Sequence, residues 1–127
     1  GQKLRAVFAD TKSDRTEGAK AGQAVLRDGA AVVVVTCDYD HGSPAALQAQ
    51  RAGVISVSIC AGDPKMGPLG VGNLAFSASN VAQAEGAALA QFALETKKST
   101  TGYVLLDDSI EYDKSLCAGY EWRARSR

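Results

Sequence analysis

The chain has 127 residues, enough for one hydrophobic core and no second complete domain. Its 14 basic and 14 acidic side chains balance to a formal charge of zero, so no electrostatic footprint for nucleic acid or an anionic membrane surface is present. The longest apolar runs are strand-length, far below the roughly 20 residues of a membrane-crossing helix, and a soluble chain is expected.

Leu4 to Ala9 reads as a first strand. Ser13 or Asp14 caps a helix that runs to about Asp28 and stops at Gly29. Its apolar positions Ala21, Ala24, Val25 and Leu26 are mostly small, which suits close packing on a sheet. Ala31 to Thr36 is a second strand, followed by the polar loop Cys37 to Ser43. Pro44 then opens a short helix with Ser43 as its cap, and Gly53 closes it. A third strand, Val54 to Cys60, leads into a Gly- and Pro-rich loop, Ala61 to Gly72, and an extended piece, Asn73 to Ala78. Asn80 with Gln83 forms a capping box for the longest helix, which carries Val81, Ala84, Ala88 and Phe92 and reaches about Lys97. Tyr103 to Leu106 reads as a buried strand, Asp107 to Ser109 as a turn, and Glu111 to Arg125 as the last helix.

Strand and helix alternate throughout, which predicts an α/β fold: an open, mostly parallel, doubly wound sheet with helices on both faces. Such sheets bind ligands outside the carboxyl ends of their strands, so the loops there are expected to hold the function. Fold alone chooses no activity.

The loops carry little catalytic chemistry. Cys37, Cys60 and Cys117 have no CxxC spacing, and His41 is the only histidine, so no metal site is expected. Cys37 and Cys60 fall near the carboxyl ends of adjacent strands, within reach of a bridge. The odd count and unknown geometry nevertheless favour partly buried free thiols. Ser43 and His41 lack an orienting acid, so no nucleophile and base pair supports hydrolytic catalysis. The Asp107 and Asp108 pair is similar to the acidic pocket of receiver domains but comes on the last strand rather than the first. GPLGVG, Gly67 to Gly72, leads into an extended segment rather than a helix, which argues against a phosphate cradle.

The segments DTKSD (Asp10 to Asp14), LRDGAAVVVV (Leu26 to Val35), RAGVISVS (Arg51 to Ser58) and YVLLDDSIEYDKSLCAGYEW (Tyr103 to Trp122) resemble, in order, the N-terminal lobe of a type I periplasmic binding protein. The branch is the branched-chain amino-acid and amide group that serves ABC importers. The resemblance implies a periplasmic or extracellular solute-binding component, neither an enzyme nor a holder of a cofactor, with two lobes joined by a hinge, a small ligand trapped between them, and ABC transporter membrane subunits as partners. A ligand-sensing domain of a receptor or regulator is the alternative, and a receiver or flavodoxin-like domain the third reading.

The resemblance also implies that residues 1–127 form a single partial lobe, with the second lobe and a first strand-helix unit outside the chain. No signal peptide is read ahead of Leu4, so any targeting segment is expected to have been removed or never included. The missing strand would lie between Leu4 to Ala9 and Ala31 to Thr36. A second copy or a complementing fragment would then complete the sheet.

By the same resemblance, Tyr39 and Asp40 contact the ligand from the loop after the second strand. Cys60 offers a backbone carbonyl and Gly62 a backbone amide, and Tyr112 closes over the ligand, with Asp113 where a glycine is usual. Asp40 would repel a ligand carboxylate, so a neutral, cationic or aromatic ligand fits at least as well as a branched-chain amino acid. Tyr39 and Tyr112 also fit as amphipathic surface rings, Asp40 and Asp63 as loop residues bonding their own backbone, and His41 as a solvated loop histidine.

Overall fold

The computed structural model describes Gly1 and residues 3–126, so the two positions Gln2 and Arg127 of the expected lobe lie outside the described residues. Three strands, β1 (Val32–Val35), β2 (Ile55–Ser58) and β3 (Ala75–Ser77), form a parallel sheet in the order β1-β2-β3. Val33 lies opposite Ser56 and Val35 opposite Ser58, while Ser56 lies opposite Ala75. Parallel pairs need crossovers. Helix α2 (Tyr39–Arg51) supplies the first, and a loop with a short 3-10 turn at Pro64–Met66 supplies the second.

The sheet buries the face that carries Val33, Val35, Ser56 and Ser58 beneath α2. Serines on the strands and Ala45, Ala46 and Ala49 on the helix keep both surfaces low, and Met66, Val71 and Ala75 fill the space that remains. Val32, Val34, Ile55 and Phe76 point the other way and are about half exposed. Helix α1 (Arg15–Arg27) lies beside α2 so closely that a Cβ on Gly22 would sit 2.8 Å from the Ala45 Cα. As read from the sequence, Asp14 caps α1, accepting from the Glu17 amide at 2.9 Å, and Gly29 ends it at φ +82°.

Helix α2 starts ahead of Pro44, contrary to expectation. The Asp38 carboxylate accepts from the His41 amide at 2.7 Å and caps a helix whose first residue is Tyr39. Pro44 therefore sits inside α2, where it removes its own N–H, and Ser43 is buried rather than capping.

Helix α3 (Ala82–Gln91) continues as a π-helical turn, Phe92–Thr96. The expected capping box does not form. Val81 is the N-cap and bonds no amide through its side chain, while the Ala82 amide donates to the Gly62 carbonyl at 2.8 Å. Helix α4 spans Glu111–Arg125, as read. It crosses α3 in backbone contact: a Cβ on Gly86 would overlap the Leu116 carbonyl, and one on Gly119 the Gln83 carbonyl.

Two expected strands are absent. Leu4 to Ala9 and Tyr103 to Leu106 pair with no strand among the described residues, and Phe8 is 93% and Leu105 99% exposed. A strand is stable only when its backbone groups find a ladder, and here neither segment has one. A cavity of about 140 Å³ separates Val7, Phe8 and Ala9 from the free edge of β1.

The expectation of free thiols at Cys37 and Cys60 is overturned by a disulfide between them, with Cα atoms 4.4 Å apart. The reason lies in the register: Val35 faces Ser58, so the residues two beyond each leave the sheet side by side. Cys117, in α4, is the free cysteine.

Candidate functional site

The carboxyl ends of β1 and β2 meet the start of α4 around a cavity of about 250 Å³. Cys37, Asp38 and Tyr39 line it from the end of β1 and the start of α2, Cys60, Gly62 and Asp63 from the loop after β2, and Ile110 and Tyr112 from the start of α4. Four of the five residues singled out by resemblance, Tyr39, Cys60, Gly62 and Tyr112, thus share one space although they come from three distant parts of the chain.

Gly62 is tightly enclosed. A Cβ there would come within 3.2 Å of the Tyr112 ring and 3.1 Å of the Asn80 carbonyl. Its own carbonyl is taken by the Ala82 amide, so this loop also seats α3. Tyr112 donates its hydroxyl to Glu85 of α3 at 2.8 Å. That bond, with burial and the charges of Glu85 and Asp113, holds the phenol above its ordinary pKa and keeps it neutral.

Asp63 is 3% exposed, and its carboxylate accepts from the Lys65 amide at 2.8 Å and the Ser115 hydroxyl at 2.5 Å. One bond is local, as the sequence suggested, and the other ties the loop to α4. Asp38 is a lining residue to which the sequence reading gave no ligand role. Its signal was present: an aspartate three residues before His41 is an N-cap pattern, masked by the equally good Ser43 and Pro44 pair. Ile110, immediately ahead of α4, gave no such signal.

Asp40 lies elsewhere. It is buried behind the cavity wall, paired with Arg15 of α1, and accepts from the Glu111 amide at 3.0 Å. It therefore serves as an acceptor for the first turn of α4, whose own N-cap, Ile110, has no side-chain oxygen. Glu111 completes the junction, bonding Lys65 and, at 3.0 Å, Lys114. Hydrogen bonds from Lys65 and then Lys114 hold its carboxyl below the ordinary glutamate range. His41 places its Nδ1 2.8 Å from the Asp38 carboxylate rather than facing only solvent. Asp107 accepts from both the amide and the hydroxyl of Ser109, in a turn within an exposed stretch rather than at a strand end.

The chain has the fold of part of a type I periplasmic binding protein. Among solved structures it is similar to the leucine-binding protein LivK from Thermotoga maritima, with a TM-score of 0.83 and 21% sequence identity. The match covers 98% of this chain and 35% of LivK, so the chain spans about a third of that protein's length. No protein-family model matches the sequence, and no curated protein matches it.

Proposed function

We propose that the chain is part of an extracytoplasmic solute-binding protein of an ABC importer, holding a small amino-acid-like ligand where the sheet loops meet α4. The observation that carries this reading is the convergence of Tyr39, Cys60, Gly62 and Tyr112 on one cavity. The likeness to a leucine-binding protein supports an amino-acid ligand. The Cys37 to Cys60 disulfide supports an oxidising, extracytoplasmic compartment.

In this reading the loops and the start of α4 form this lobe's side of the cleft. Ligand contacts made by this lobe and by a second lobe favour the closed form, which the membrane subunits of the importer then recognise. The free edge of β1 and the exposed Leu4 to Ala9 segment are covered by further polypeptide, from a second copy or a complementing segment. The chemistry is capture without turnover.

Tyr112→Ala tests the site. Removing the ring should weaken ligand binding by about 1–2 kcal/mol, roughly tenfold, as measured by calorimetric titration with L-leucine. Unchanged affinity would place the ligand elsewhere.

A further inference from the structure

The cavity is lined by two carboxylates and two phenol rings, and by no lysine or arginine. The cations at the junction are already engaged outside the lining: Arg15 by Asp40, and Lys65 and Lys114 by Glu111. Asp63 has neutral hydrogen-bond donors and no ion-pair partner among the described residues, so its buried charge adds to the field inside. Asp38 accepts from the His41 amide and, at 3.4 Å, from the Thr36 hydroxyl, and it lies beside His41 Nδ1, yet its side chain stays 40% exposed. Ile110 and the Cys37 to Cys60 sulfurs supply apolar wall.

We infer that this cavity takes the ammonium end of its ligand, so that the ligand class is a small primary amine with an aliphatic or aromatic body. The inference rests on the solute-binding reading and narrows it. A positive group placed here lies among Asp38, Asp63, Tyr39 and Tyr112, while a carboxylate placed here lies near two like charges and no lysine or arginine of the lining. Asp40 plays no part in the discrimination, because Arg15 neutralises it and it does not line the cavity. This reassigns to Asp38 and Asp63 the repulsion of carboxylates that the sequence suggested for Asp40.

Four related probes separate the possibilities in calorimetric titrations of the full protein that carries this chain: L-leucine, L-leucinamide, 4-methylpentanoate and 4-methylpentanamide. L-leucinamide should bind, and 4-methylpentanoate should bind at least about tenfold more weakly. Asp38→Asn, which keeps a helix-capping oxygen, should weaken L-leucinamide about tenfold and leave 4-methylpentanamide unchanged. If 4-methylpentanoate matches L-leucinamide, or if Asp38→Asn leaves L-leucinamide binding intact, the ammonium assignment is overturned and the solute-binding reading stands. If none of the four binds, both readings are overturned.

Discussion

Val32–Val35 and Tyr103 to Leu106 are nearly equal in apolar character, yet only the first is a strand. β1 has β2 in parallel register beside it and α2 across its inner face, so Val33 and Val35 are buried. Tyr103 to Leu106 has no ladder among the described residues, and Tyr103 and Leu105 stand in solvent while Val104 and Leu106 are only partly covered. Hydrophobic pattern marks a segment that is suited to burial, whereas strand formation belongs to a pair of segments. Leu4 to Ala9 repeats the lesson across the cavity from β1.

The disulfide is the sharpest way to break this difference, because it joins the two paired strands and leaves both unpaired segments alone. Replacing Cys37 and Cys60 by serine should cost about 3 kcal/mol for a loop of this length, measured by urea unfolding. Amide exchange should quicken at Val33 and Val35 and stay unchanged at Val104 and Leu105. The close α3 and α4 crossing comes next. Gly86→Ala pushes a methyl group against the Leu116 carbonyl and should cost about 1–3 kcal/mol, seen as a lowered Tm.

Acid should act selectively on the junction. Because lysine hydrogen bonds depress the Glu111 carboxyl below its ordinary value of 4.5, its contribution is fully present above that pH. That contribution is lost as the pH falls through the depressed value. The start of α4 should therefore gain exchange below pH 4.5 before the sheet does, a result that pH-dependent amide exchange reads directly. The smallest effect is expected at Leu105. With 99% of its surface exposed, Leu105→Lys should change stability by no more than about 0.5 kcal/mol, whereas a loss of about 2 kcal/mol would mean that the segment is packed after all.

These contrasts also mark what was legible in the sequence. The bounds of α1 and α4 could be read closely because Asp14, Gly29 and the register of apolar residues act locally. The parallel β1 and β2 unit was legible for the same reason. The start of α2 was misplaced because two capping signals, Asp38 and Ser43 with Pro44, competed and only tertiary packing chose between them. The capping box of α3 failed because a distant carbonyl, that of Gly62, reached the Ala82 amide first. The disulfide depended on strand register, which composition does not reveal. For the candidate site, the loop positions followed from resemblance. The withdrawal of Asp40 behind Arg15 did not, because that ion pair joins residues 25 apart in sequence.

The most direct test of the ligand assignment is amide shift mapping of the full protein that carries this chain, labelled and titrated with L-leucine. The account predicts the largest changes at Tyr39, Cys60, Gly62 and Tyr112. Changes confined to Val7, Phe8 and Val34 along the free edge of β1, or no changes at all, would contradict it.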